Sequence, residues 1–177
     1  DIVTIDATCP FGFGHLLPRG LLREPQRSLA RANLIVVTRC DQVSDDARIV
    51  LERDIRRYNA SVPIIRARHK VLGFRRLDGS PFQTDSFNRA YLFAGIGNPG
   101  AFLRLAQTSG VRVIGTRWFR DHHVYNPAEV HRLMEHWQPG ANDVLLTTEK
   151  DAVKLRHHAE LHSSPIVWLE MAIDFAD

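Results

Sequence analysis

The 177 residues, 44% of them hydrophobic, suffice for one ordinary domain or two small ones with a real core, and exclude a disordered tail. Lys and Arg number 23 against 20 Asp and Glu, a net charge of only +3. No apolar run approaches the roughly 20 residues of a membrane-spanning helix, and Cys9 and Cys40 fit neither a zinc site nor a disulfide scaffold, which suits a reducing compartment.

Asp1 to Asp6 is β-branched and weakly alternating, the pattern of a buried strand. The chain starts inside this strand and without Met, which points to a fragment of a longer protein. Pro10 to Gly20 is too rich in Gly and Pro for regular structure and reads as a long functional loop. It leads to Arg23-Glu24-Pro25, with Pro25 suited to the first turn of a short helix toward Arg31. Arg23 and Glu24 are either an exposed ion pair or cleft residues at the end of that loop.

Asn33 to Thr38 is a near-continuous apolar strand. Ser44 caps a helix through about Tyr58, and Val62 to Ile65 gives a third strand. Between Arg48 and Arg76, eight arginines and one lysine face only Glu52 and Asp54 within the stretch. Such a cluster is either a phosphate-binding surface or a solvated helix face with strand-end arginines. Val71 to Leu77 is extended, and Asp78-Gly79 carries a hairpin signal, so residues 67–86 read as a two-stranded ribbon.

The second half repeats an α/β rhythm. Strands are expected at Ala90 to Ala94, Val111 to Trp118, Asp143 to Thr147 and Pro165 to Leu169, with helices at Pro99 to Thr108, Pro127 to Trp137 and Glu149 to His157. The fold class is α/β: a layered α/β/α arrangement with a mostly parallel sheet, in two lobes (1–66 and 87–177) joined by the ribbon at 67–86. Three successive strands end in polar or Gly-rich segments, which parallel pairing would gather on one sheet edge, where α/β proteins bind ligands.

Gly95-Ile96-Gly97-Asn98-Pro99-Gly100 spells the dinucleotide fingerprint after a strand and before a helix. Pro99 has no N–H for a pyrophosphate, so the turn either lets strand and helix approach closely or binds a phosphate or sugar oxygen. Thr147-Thr148-Glu149-Lys150-Asp151 offers a hydroxyl cap and first-turn acids, with Lys150 or Asp151 free to face the crevice. Asp121-His122-His123 has three readings: a carboxylate-oriented general base, part of a metal site needing ligands from elsewhere, or loop residues paired to backbone.

Taken together the segments resemble the tetraacyldisaccharide 4'-kinase family of lipid A biosynthesis. The pieces that carry the resemblance are Asp1 to Ala7, Pro10 to Gly14, Leu16 to Gly20, Leu22 to Pro25, Phe93 to Pro99, Phe119 to Tyr125 and Thr147 to Lys154, in family order. The resemblance implies a P-loop kinase that uses ATP and Mg2+ to phosphorylate the 4'-hydroxyl of an acylated disaccharide 1-phosphate at the cytoplasmic face of the bacterial inner membrane. Residues 1–66 would be the remainder of the P-loop lobe. Asp121 and His122 would belong to the catalytic group, with His122 the partner of an upstream aspartate base. Arg23, Glu24, Gly95, Gly97, Asn98, Thr148, Glu149, Lys150 and Asp151 would line the substrate or nucleotide cleft, and no residue is assigned to a metal.

The family's Walker A loop and an acidic Asp-Asp-Gly-Phe-Gln-His segment precede the point where this chain starts, so the isolated chain is expected to be inactive and soluble. Phe13 stands where the family usually has Asn, Arg19 where it has Ala, Leu21 where it has Pro, and Arg120 where it has Pro. Two other classes compete: a manganese-dependent DHH-type phosphoesterase, and a non-catalytic nucleotide or nucleic-acid-binding α/β module. Nucleic acid is not expected as a partner, because aromatics are not interleaved with the basic stretch.

Overall fold

The computed structural model describes residues 1–83, 87, 89–137, 140 and 142–176. They fall into two compact units, residues 1–70 with 173–177 and residues 71–172. The predicted ribbon residues 84–86 lie outside the described residues.

In the first unit, β1 (Ile2–Asp6) pairs in parallel with β2 (Leu34–Thr38). α1 (Asp45–Arg56) then returns the chain to β3 (Ile64–Arg76), parallel to β2. Ser44 caps α1 by accepting the Ala47 N–H at 3.3 Å, with Asp45 and Asp46 in the first turn and Arg53 and Arg56 in the last. These charges complement the helix dipole at both ends. Leu51 and Ile55, one turn apart, are the buried stripe of α1, in one cluster with Ile5, Ile35 and Val37. The short helix expected from Pro25 is a 3-10 helix, Gln26–Arg31, with Pro25 immediately before it.

The predicted loop is more ordered than its composition suggests. Phe11, Gly12, Phe13 and Gly14 have φ of 56, 50, 64 and 73°, a run in the left-handed region. The Leu21 N–H donates to the Gly12 carbonyl at 3.0 Å.

β3 runs on where the sequence suggested a separate strand and ribbon arm. The reason is its charged residues, which anchor it at successive positions: Arg66 to Glu52 (2.8 Å), Arg68 to Asp174 (2.7 Å) and Arg75 to Glu170 (2.7 Å). The basic cluster is thus largely paired with acids, three of which (Asp45, Glu170 and Asp174) lie outside the stretch. β4 (Pro81–Phe82) folds back antiparallel on β3, with Phe74 opposite Phe82. At this hairpin Gly79 has φ +87° and the Asp78 carboxylate accepts the Ser80 N–H at 2.8 Å.

The second unit contains β5 (Arg89–Ala94), α2 (Pro99–Thr108), β6 (Val113–Trp118), α3 (Pro127–Trp137), β7 (Asp143–Thr148), α4 (Glu149–Leu155) and most of β8 (Ile166–Ala176). The strand order is β6-β5-β7-β8, and every pair is parallel. β8 is longer than the expected Pro165 to Leu169 because Glu170 and Asp174 keep it paired to arginines. α4 ends at Leu155, short of His157.

Side chains of β5 alternate between two cores. Ala90, Leu92 and Ala94 pack with Phe102 and Ala106 of α2, and Phe93 packs with Val130 of α3 and Leu155 of α4. Helices therefore cover opposite faces of the sheet, and all six residues of β7 are buried. The strand order reverses between β5 and β7, which makes the segments leaving their C-terminal ends the walls of a crevice.

Candidate active site

β5, β6 and β7 run parallel, so the three segments that follow them lie on one sheet edge, as the sequence predicts. The middle segment, residues 119–126, packs over the start of the first. Gly95 lies immediately after β5, and an ideal Cβ built on it would stand 2.9 Å from His123 Cβ and 3.1 Å from the Arg120 carbonyl oxygen. Glycine is required here for close approach. A Cβ on Gly97 would stand 3.3 Å from an Asp121 carboxylate oxygen, which places Asp121 against the same turn.

Asp121 is half-exposed and accepts two bonds, from Lys150 Nζ at 3.1 Å and from the His122 N–H at 2.9 Å. Lys150 beside it, helped by the His122 N–H and its own proximity to the His122 ring, holds the Asp121 carboxyl below the usual carboxylate range. His122 has φ +60° and presents its ring to solvent, with Nε2 3.8 Å from Asp121 Oδ2. His123 turns the other way. Its ring stacks on Phe119 at 4.5 Å and its Nε2 lies 2.7 Å from Glu129 Oε2 on α3. The two histidines are therefore unlike: His122 can meet a ligand, and His123 is held by protein.

Asn98 caps α2, accepting the Ala101 N–H at 3.0 Å, and Thr148 caps α4, accepting the Asp151 N–H at 3.2 Å. Glu149 is exposed in the first turn of α4. Asp151 is not a crevice-facing acid. It is fully buried and accepts the Gly95 N–H at 2.9 Å, the Thr148 hydroxyl at 3.0 Å and Lys154 Nζ at 2.9 Å. The first N–H of the apparent dinucleotide fingerprint is thus already committed to a carboxylate.

Tyr125 lies in the same buried cluster. Burial, followed by the nearby Asp151 charge, pushes its phenol well above its ordinary value. Among the described residues no three His, Cys, Asp or Glu side chains converge as metal ligands.

Arg23 and Glu24 belong to the first unit, where they line a cavity of about 570 Å³ together with Val3, Ile5 and Phe11. Glu24 does not pair with its neighbour. It binds Arg31 at 2.7 and 2.8 Å, which holds its carboxyl below the usual range. The sequence assigns no site role to Lys154, Tyr125 or Glu129, although Tyr125 and Lys154 close two of the segments that carry the family resemblance.

A model of the LpxK family, described as tetraacyldisaccharide-1-P 4'-kinase, matches residues 1–177. The tetraacyldisaccharide 4'-kinase of Geobacter metallireducens is 39% identical over 158 residues, which cover 88% of this chain and 44% of that protein. That of Halothermothrix orenii is 34% identical over 166 residues, covering 87% and 43%. The crystal structure of the "apo" form of LpxK from Aquifex aeolicus in complex with ATP has the same fold, with a TM-score of 0.66 at 20% identity, covering 99% of this chain and 48% of that one. The chain spans less than half the length of each of these relatives.

Proposed function

The chain belongs to the tetraacyldisaccharide-1-P 4'-kinase family, and from that premise we propose that it supplies part of a kinase that transfers the γ-phosphoryl group of ATP to the 4'-hydroxyl of an acylated disaccharide 1-phosphate in lipid A biosynthesis. The observation that carries this reading is the turn after β6, which sets the ionised Asp121 and the solvent-facing His122 beside Lys150 at the edge of a parallel sheet.

Phosphoryl transfer needs little covalent chemistry from protein. It needs an aligned hydroxyl, charge stabilisation and a route for the hydroxyl proton. His122 takes part in that route as the partner of an aspartate base supplied elsewhere in the complete gene product, and Asp121 orients the turn. Lys150 keeps Asp121 charged. Gly97, Asn98, Thr148 and Glu149 form the walls of the crevice in the second unit, and Arg23 and Glu24 line the cavity of the first. In this reading residues 1–66 belong to a P-loop lobe, 67–86 to a linker and 87–177 to a C-terminal lobe.

ATP would bring the phosphoryl donor, with Mg2+ neutralising its charge. Both are assigned to a phosphate cradle in the part of the complete gene product that this chain does not span. The isolated 177 residues are therefore inactive, and the complete protein works at the cytoplasmic face of the inner membrane. No helix among the described residues is long and apolar enough to cross a membrane.

The test is ATP-dependent phosphorylation of an acylated disaccharide 1-phosphate by the complete gene product. Activity that is lost in His122→Asn, with substrate binding retained, supports the reading. Transfer by the 177-residue chain alone, or none by the complete gene product, overturns it.

A further inference from the structure

Three anchors hold the turn that carries Asp121 and His122. The first is Gly95, whose carbonyl accepts the His122 N–H at 3.2 Å. The second is Glu129, which binds the His123 ring at 2.7 Å. The third is Lys154, whose Nζ donates to the His123 carbonyl at 3.0 Å while pairing with Asp151 at 2.9 Å. Asp151 in turn accepts the Gly95 N–H. A closed circuit results: Gly95 to Asp151, Asp151 to Lys154, Lys154 to His123, and His122 back to Gly95.

The placement of Lys154 follows from helix geometry. Lys150 and Lys154 are four residues apart on α4 and share one face. Lys150 reaches the Asp121 side chain and Lys154 reaches the His123 main chain, so a single helix face holds both ends of the Asp-His-His triplet. The Lys154 ammonium also lies 5.6 Å from the centre of the Tyr125 ring, which closes the cluster from the loop side.

From this circuit we infer that Lys154 is a positioning residue for the reaction: without touching substrate, it fixes the backbone on which His122 is presented. Asp151 counters its charge within the buried cluster and fixes where the ammonium can stand. The turnover consequence rests on the kinase reading above, whereas the geometric consequence is independent of it.

Lys154→Met leaves the Asp151 carboxylate buried without its cation and can unfold the chain for that reason alone. The second variant is therefore Asp151→Asn with Lys154→Met, in which both charges are gone and the asparagine oxygen can still accept the Gly95 N–H. Lys154→Arg tests rescue, since a guanidinium can span carbonyl and carboxylate. In the complete gene product, the double variant is expected to lose about 100-fold in kcat, the scale of a misplacement near 1 Å. KM should stay within about twofold of wild type, as for an interaction that acts only in the chemical step.

In the 177-residue chain, the same variant is expected to speed amide hydrogen exchange at His122 and His123 while the melting temperature stays near that of wild type. Lys154→Arg should recover part of both effects. A double variant with wild-type kcat, or with unchanged exchange at His122 and His123, overturns the positioning role. If the unaltered complete gene product shows no transfer, the kinase reading fails by itself and the exchange experiment still decides the role of Lys154.

Discussion

Gly95 and His123 meet where a β-carbon would otherwise be: a methyl group on Gly95 would stand 2.9 Å from His123 Cβ, with the Arg120 carbonyl and the Tyr125 hydroxyl only 3.1 and 3.2 Å away. Three parts of one loop thus close on a single missing side chain. Gly95→Ala should displace the 120–125 segment and destabilise the chain by about 1–3 kcal/mol, the usual cost of overpacking a buried site. A chemical-denaturation midpoint equal to that of wild type would show that the loop yields without cost.

Lys150 is expected to set the titration of Asp121. Its ammonium, 3.1 Å away, is the largest cause of the lowered carboxyl value. Carbon-13 spectra of the Asp121 carboxyl should show its midpoint rising toward the ordinary range in Lys150→Met. No movement would mean that solvent screens the pair completely.

Acid should weaken the second unit through Asp143. Arg89 holds this buried carboxylate by two bonds, at 3.0 and 2.5 Å, and with the Gly140 N–H lowers its folded-state value. A depressed carboxyl contributes stability that is complete above its unfolded value, about 3.9, and is lost as pH falls through the folded value. Melting temperatures of wild type and Arg89→Met should therefore differ most at about pH 6 and draw together as pH falls below the unfolded value of about 3.9. A gap that is independent of pH would assign the effect to packing by the Arg89 stem.

Phe13→Asn should stabilise the first unit by about 1 kcal/mol. Phe13 has φ +64° and is 73% exposed, so it bears the left-handed backbone with little contact in return. Asparagine adopts that conformation more readily. An unchanged or lower melting temperature would show that Phe13 makes compensating contacts.

Much of this architecture was legible in the chain because local pattern and tertiary demand agree. α2 starts at Pro99 behind the Asn98 cap, and α3 spans Pro127–Trp137, both where periodicity and capping place them. The strands of the second unit announce themselves by apolar runs followed by Gly or polar residues. β3 and β8 were misjudged because distant pairs such as Arg68 with Asp174, 106 residues apart, extend them, and no local window contains both partners. The site divides in the same way. Asp121, His122 and Lys150 stand out as polar residues at strand ends, whereas the inward turn of Asp151 and the linkage of Lys154 to His123 depend on a fold that brings α4 against the loop after β6.

The left-handed backbone at His122 governs how its imidazole can be removed without disturbing anything else. Alanine would delete the ring and keep a β-carbon at φ +60°, where it is unwelcome, so lost turnover in that variant would mix chemistry with a shifted turn. Glycine relieves the backbone and asparagine tolerates it, and neither carries a group that titrates near neutrality. Agreement between His122→Gly and His122→Asn would isolate what the ring itself does. A difference between them would measure how much of the residue's importance lies in the bend of the chain.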